Sequence, residues 1–435
     1  MDITRPTFIT VVVVGQGYVG LPAARAAWRA GHTVIGYDTD PARVASLLAG
    51  RSPIEDVTDA EIHDMLDSGR YTPTTCDSDL AAFNVALVTV PTPLRDGRPD
   101  LTFVLQAAHT LADFVTPECV VILESTVAPG TTSGVFREAL ETNPARLTSR
   151  NGGFAIGFSP ERIDPGNPTW GFVNTPKLIS ATTPAGLAEV RKFYNTVCQT
   201  VVETSTPEIA EMAKLLENTY RHVNIALVNE LSRHAHKLGI DIWEVVAAAA
   251  TKPYGFQPFF PGPGVGGHCL PVDPVYLADE VETSLGRPFA FVDLAMQVNA
   301  GQPEYVAERV IRLLNDAGRA PSRSRVLVLG AAYKAGTGDV RETPASPVID
   351  KLLEWGASVA VCDPRVDVDA YVTRWATGAA AVTRLADLPA HLPVADLVLL
   401  LTDHPDFPYD LIEREASLVL DTRNRLGNAS KIHKL

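Results

Sequence analysis

Residues 8–38 set the strongest limit on what this chain can become. Phe8 to Val14 is an apolar, β-branched run, as expected of a strand buried in a parallel sheet. It leads into GQGYVG (15–20), then LPAARAAWRAG, a helical stretch ending at Gly31, then HTVIGYD, a second strand ending at Asp38. Strand, glycine turn, helix, strand and acid in that order predict a dinucleotide-binding βαβ unit. Gly15 permits the tight turn, Gly17 lets the backbone approach a pyrophosphate, and Gly20 allows close helix–strand packing. The helix N-terminus then faces the phosphates, with Tyr18 and Val19 counted among the binding residues. Asp38 falls where a carboxylate accepts hydrogen bonds from ribose hydroxyls and repels a 2′-phosphate, which favours NAD over NADP. Arg43 nearby is the residue suited to a phosphate instead.

The same edge recurs downstream. VALVTV (85–90) runs into PTP (91–93), and CVVILEST (119–126) runs into VAPGTT. Both strands end in Thr, Ser and Pro at the carboxyl edge of a parallel sheet, where doubly wound folds bind ligands. Pro91, Thr92, Ser125 and Thr126 are therefore candidates for the nicotinamide half of the cofactor, with ordinary turn capping as the alternative. A further strand, in FAIGFSPERIDPG (154–166), ends at Ser159, and the loop after it carries Glu161, Arg162 and Ile163.

Thr206-Pro207-Glu208 starts a long helix: a capping hydroxyl, a proline at the first helical position and an early acid. The pattern runs to Gly239, roughly thirty residues or about 45 Å. Lys214, Asn218 and Arg221 fall within about 60° of one another on one face. Ile209, Met212, Leu216, Val223 and Leu227 gather on the other, as core or as a dimer interface. The donor row is either a solvated face or a site for phosphate, sugar hydroxyls or a developing oxyanion. His222, His234 and His236 show no metal spacing and read as structural.

The stretch PFFPGPGVGGHCLPVDP (258–274) has four glycines, five prolines and one cysteine, a composition that no regular helix or strand tolerates. It reads as an ordered loop whose backbone passes close to something, Gly266 included. Cys269 in its middle is either an inert thiol on a turn or a nucleophile, with His268 before it and Asp273 after it. Tyr254 and Phe256, just upstream, either wall a base or sugar pocket or staple the loop to the core.

The last third repeats the opening pattern. Arg325 to Leu329 is a strand, a glycine turn GAAYK follows, then a helix ending at Gly356 and a strand ending at Asp363. GAAYK lacks the GxGxxG spacing, so a Rossmann-like half binding a different nucleotide is expected. Lys334 and Arg341 bracket a loop where phosphate can bind.

Composition narrows the rest. A chain of 435 residues with 46% hydrophobic content holds two or three domains. Its net charge of −14 argues against nucleic acid as a partner. The cysteines (76, 119, 198, 269, 362) are scattered, with no CxxC pair for zinc, and a reducing, cytoplasmic setting is expected. No apolar run approaches a membrane span, and the first residues show no signal-peptide pattern.

Six separated motifs, in order, resemble the UDP-glucose/GDP-mannose dehydrogenase family: GQGYVG, the PTP and EST edges, SPERIDPG, KLLENTYRHVNIALVNE (214–230), GGHC with PVDP, and YKAGTGDVRETPAS. The wording PYGFQPFFPGPG looks more like the N-acetylhexosamine branch than the glucose branch. The resemblance implies an α/β fold of two Rossmann-like doubly wound domains joined by a central helical domain, divided 1–203, 204–305 and 306–435. It implies oxidation of the C6 hydroxyl of a nucleotide hexose to a carboxylate with two NAD. In that scheme Cys269 is the nucleophile, Lys214 and Asn218 are catalytic, Asp273 or Lys214 is the base, and Glu161 acts on water, with Thr126 also in the catalytic set. Arg162, Ile163, Arg221, Tyr254, Phe256, Gly266, Tyr333, Lys334 and Arg341 contact the substrate, a UDP-sugar in preference to a GDP-sugar. A homodimer or higher assembly is expected, with no metal. The rivals are a single-hydride dehydrogenase of the 6-phosphogluconate type, which leaves GGHC unexplained, and a nucleotide-sugar sensor without turnover.

Overall fold

The computed structural model describes residues 8–164, 166–167, 169–267, 270–375 and 379–435. Its contacts divide the chain into two compact units, one running to Glu217 and taking in Val275–Gly286, the other comprising Asn218–Pro274 and Arg287–Leu435.

The first unit is built on an eight-stranded sheet. Its strands are β1 (Thr10–Val14), β2 (Thr33–Tyr37), β3 (Tyr71–Thr74), β4 (Val85–Val88), β7 (Val120–Leu123), β8 (Ala155–Phe158), β9 (Lys177–Ala181) and β10 (Val201–Glu203). A two-stranded hairpin, β5 (Leu94–Arg95) and β6 (Arg98–Pro99), stands apart from it. The order is β10-β9-β8-β7-β4-β1-β2-β3, and every pairing is parallel except β8 with β9. The alternation of side chains explains the unbroken valine run in β1. Val11 and Val13 enter one core, beneath the helix Gly20–Arg29, while Val12 and Val14 enter the core on the opposite face.

The second unit holds a six-stranded, all-parallel sheet of β11 (Arg325–Leu329), β12 (Ser358–Cys362), β13 (Ala380–Val382), β14 (Leu397–Leu400), β15 (Val419–Asp421) and β16 (Ile432–Lys434), in the order β13-β12-β11-β14-β15-β16. Here too the central strand is split between two cores, Val326 and Val328 against Leu327 and Leu329. The predicted internal echo is real at the level of single hydrogen bonds. Gly15 N donates to Tyr37 O at 2.8 Å, and Gly330 N donates to Cys362 O at 2.9 Å. Both glycines have positive φ, +92° and +91°.

The long helix runs Pro207–Lys237, 31 residues, starting at the predicted proline. Its apolar side is turned outward rather than into a core: Leu216 is 61% and Leu227 60% exposed. The glycine-proline loop ends where the helix Asp273–Leu285 begins, so Asp273 and Pro274 occupy a first helical turn, where proline costs nothing. β3, β9 and β10 had no counterpart in the sequence reading; β9 joins the sheet antiparallel to β8 through Gly157↔Ala181, and β10 forms the edge beyond it.

Ile122 in β7 is fully buried in the first unit's core. Its replacement by alanine is expected to cost about 2–5 kcal/mol, read from urea denaturation midpoints.

Candidate active site

The glycine turn of the first unit is shaped by close backbone contact. A Cβ on Gly20 would sit 1.8 Å from Gly15 O, and one on Gly15 would sit 2.8 Å from Thr89 O. Gly17 is different: its nearest neighbour for a Cβ is an Arg43 nitrogen at 3.9 Å. Two glycines are therefore demanded by the fold, while Gly17 leaves open backbone for a ligand. The Gln16 side chain braces the turn. Its amide donates to Val13 O at 2.9 Å and its oxygen accepts from the Tyr71 hydroxyl at 2.8 Å. Val19 stands at the N-cap of the helix that follows. Tyr18 packs against the core of this unit.

Asp38, buried at the end of β2, accepts from Gln16 N at 2.8 Å and from Asp40 N at 2.9 Å, and pairs with Arg43 at 3.1 Å. Arg43 is thus already paired with the carboxylate expected to face the ribose. Thr92 and Ser125 are buried at the carboxyl edge, where the Ser125 hydroxyl donates to Val90 O at 2.7 Å; Thr126 is half-buried and Pro91 exposed. The donor set fits a dinucleotide with free ribose hydroxyls: open backbone for the pyrophosphate and an anchored acid for the ribose.

Further along the same sheet lies a charge cluster absent from the sequence reading. Glu161 Oε1 accepts the backbone N–H of Arg162 at 2.6 Å and of Ile163 at 2.5 Å, and its Oε2 lies 3.1 Å from Lys177 Nζ. Lys177 also reaches Glu124 at 2.9 Å, and Glu124 accepts from the Tyr194 hydroxyl. Burial works against the Lys177 ammonium, yet the two carboxylates hold its pKa above the ordinary lysine range. Burial pushes Glu124 upward, opposed by Lys177. The signal was there in ILEST: a glutamate at the end of a buried strand requires a cation. Its partner sits on a strand that the sequence did not announce. Arg162 is engaged elsewhere, its guanidinium on Glu217 at 2.7 Å and on Pro176 O at 2.8 Å. Ile163 packs on the core.

On the long helix Lys214 is only 8% exposed and forms no ion pair with any described residue. In the second unit the Asn218 amide donates to Asp273 Oδ2 at 2.5 Å, so two predicted site residues meet. Arg221 and Tyr254 are exposed, as is Phe256. Phe260 stacks on Trp243 at 5.8 Å and Phe259 meets Tyr220 edge-on at 5.7 Å, so these two aromatics fasten the loop.

That loop is anchored at both ends of its described part. Gly262 N donates to Asn229 Oδ1 and Gly262 O accepts from Gln302 Nε2, both at 3.0 Å. Asn229 in turn binds Asn299, which reaches His222, so this helix histidine is structural, as its spacing suggested. A Cβ on Gly266 would lie 2.6 Å from Glu342 O and 2.8 Å from Tyr333 Cβ, and Gly267 N donates to Arg341 O at 3.1 Å. The close approach expected of these glycines is therefore to the loop carrying Tyr333 and Arg341. The Arg341 guanidinium is bidentate on Asp339, at 2.6 Å for its shortest bond, while Lys334 is half-buried. His268 and Cys269 lie outside the described residues. Of the other cysteines, burial pushes Cys119 up to about 11 and Cys198 and Cys362 up to about 12, which keeps those thiols protonated. Among the described residues no cluster of acids, histidines and cysteines could hold a metal, and no helix is long and apolar enough to cross a membrane.

The fold and the glycine turn together define a protein of the dinucleotide-binding class. The chain belongs to the UDP-glucose/GDP-mannose dehydrogenase family: its NAD binding domain matches residues 9–198, its central domain 208–301 and its UDP binding domain 327–428. It is accordingly an NAD-dependent dehydrogenase of nucleotide sugars. The chain is 32% identical over 400 residues to the UDP-N-acetyl-D-mannosamine dehydrogenase of Pyrococcus horikoshii, covering 91% of this chain and 90% of that one. It is 34% identical to the UDP-N-acetyl-D-glucosamine 6-dehydrogenase of Pseudomonas aeruginosa, covering 83% and 84%. The solved structure of the UDP-D-ManNAc dehydrogenase from Pyrococcus horikoshii superposes with a TM-score of 0.86 at 29% identity, covering 98% of this chain and 99% of that one.

The glycine geometry separates fold from binding. Gly17→Ala is expected to melt within about 2 °C of wild type while weakening NAD binding about tenfold in calorimetry. Gly20→Ala, with its clash on Gly15 O, is expected to lower the melting temperature by more than about 4 °C.

Proposed function

We propose that the chain oxidises the C6 hydroxyl of a UDP-N-acetylhexosamine to the uronic acid, a four-electron oxidation in two steps. The branch-like wording of residues 253–264 and the names of the relatives support an N-acetylated sugar. The observation that carries the chemistry is on the long helix: Lys214 is buried with no counter-ion among the described residues, and Asn218, one turn on, is held by Asp273. An uncompensated buried ammonium costs stability, and a site that develops negative charge gives it a use.

NAD, bound at the glycine turn and Asp38, supplies the hydride acceptor for both oxidations. Asp273, through water, or Lys214 takes the proton of the alcohol, leaving an aldehyde. The Cys269 thiolate adds to that aldehyde as a thiohemiacetal, which keeps it from escaping and presents a second hydride. Loss of that hydride leaves a thioester, and water releases the acid. Each tetrahedral stage carries an oxyanion. The Lys214 ammonium and the Asn218 N–H not used by Asp273 are its donors, one such donor being worth about 3 kcal/mol. Glu161 acts on the hydrolytic water, with Thr126 beside the cofactor edge. Tyr333, Lys334 and Arg341 bind the nucleotide end, and the functional parts divide at about 203 and 305 as the motifs do. The outward apolar side of the long helix, Met212, Leu216, Leu227 and Leu231, supports a homodimer formed along it.

Purified protein given UDP-N-acetylmannosamine or UDP-N-acetylglucosamine should release two NADH per sugar. One NADH with a free aldehyde or ketone would refute the scheme. Cys269→Ala should abolish acid formation, and Cys269→Ser should stall at an ester or half-oxidised stage. Leu227→Glu should convert the dimer to a monomer in light scattering; a wild-type monomer would sink the dimer reading.

A further inference from the structure

The cluster around Lys177 is more than a buried ion pair. A Lys177–Glu124 bridge alone would be neutral and complete, with side-chain exposures of 4% and 0%. Glu161 adds a second carboxylate, and with 11% exposure it is the one acid of the cluster that reaches the surface. The cluster is therefore closed at one end and open at the other. Glu124 is gripped at the closed end by Lys177 and Tyr194, and the ammonium is capped by the Phe172 ring at 4.6 Å.

Counting acceptor positions shows what is left over. A carboxylate oxygen accepts about two hydrogen bonds. Oε1 of Glu161 is filled by the N–H groups of Arg162 and Ile163, whereas Oε2 holds, among the described residues, Lys177 alone. One acceptor position therefore remains, on the oxygen whose direction Lys177 sets. The other groups near the cluster do not compete for it: the Arg162 guanidinium is held by Glu217, and burial keeps the Cys198 thiol neutral.

We propose that Lys177 is the positioning residue for Glu161, fixing its carboxylate so that a single acceptor position is presented to the water that hydrolyses the thioester. Glu124 and Tyr194 keep the ammonium in place for that task. This inference rests on the role given to Glu161 above and deepens it.

Three variants test it: Lys177→Met, Lys177→Arg and the double variant Lys177→Met/Glu124→Leu. The double variant removes the buried pair together, which avoids stranding a buried carboxylate. Lys177→Met and the double variant are expected to lose about tenfold or more in kcat for acid formation, with KM for the UDP-sugar within about twofold. Acyl-enzyme should accumulate in intact-mass spectra. In Lys177→Met the two carboxylates are left with no cation between them, which favours a protonated form, so the acidic limb of kcat should move up. Lys177→Arg should restore most of the rate. A double variant that folds with wild-type kcat and no trapped acyl-enzyme overturns the inference, as does a loss of rate that leaves the acidic limb of Lys177→Met unmoved and that Lys177→Arg does not rescue. In either case a wild type still yielding two NADH per sugar leaves the functional reading intact. A wild type yielding no NADH from any UDP-sugar overturns both.

Discussion

Backbone runs against backbone in this chain at places where no side chain has room, and the site is laid out around those contacts. Gly20 against Gly15 O brings the first helix down onto β1, which puts the helix N-terminus at the carboxyl edge of the sheet. Gly264 and Gly266 do the same for the proline-rich loop, pressing it onto Pro344, Tyr333 and the carbonyl of Glu342. Glu342 itself adopts φ +48°, a conformation that costs a non-glycine residue on the order of 1 kcal/mol and is held by the packing around it. The described part of that loop, up to Gly267, is thus held in place for a steric reason, and its anchor at Gly262 adds a polar one.

Buried charge is handled in two opposite ways. Lys177 is surrounded: two carboxylates and an aromatic face make up for the water it has lost. Lys214 is nearly as buried and has no ionic partner among the described residues. The first arrangement is stable as it stands, and its product is the orientation of Glu161. The second is costly as it stands; under the proposed function it is offset by negative charge forming on the substrate, which is the electrostatic condition for stabilising a transition state over a ground state.

The two sheets repeat one design and spend its acid differently. Asp38 and Asp363 occupy the same place at the end of the second strand of each half. Asp38 takes two backbone donors and Arg43. Asp363 takes the N–H groups of Ala331, Ala332, Arg365 and Val366, and His404 at 3.1 Å besides. Burial opposes the Asp363 carboxylate, but these donors hold its pKa below the usual range. Its acceptor capacity is used up within the protein, a physical reason for the second half to bind its nucleotide in another way than through a ribose on this acid.

The sequence by itself determined what is local. Hydrophobic runs set the central strands, because a strand buried on both faces shows no polar alternation. Glycine spacing set the turn, and proline set the start of the long helix to the residue. The place of Asp38 at the end of the strand after the glycine turn was legible because both ends of one βαβ unit lie within a few tens of residues, whereas its bond to Gln16 N was not. Only the tertiary structure decided what depends on distant partners. Lys177 stands 53 positions from Glu124 and Asn218 stands 55 from Asp273, and no periodicity links such residues. Nor did composition tell which side of the long helix is covered, since an apolar stripe looks the same facing a core or facing outward. Burial and charge pairing are properties of the whole packed chain, so they appear only once its sheets have assembled.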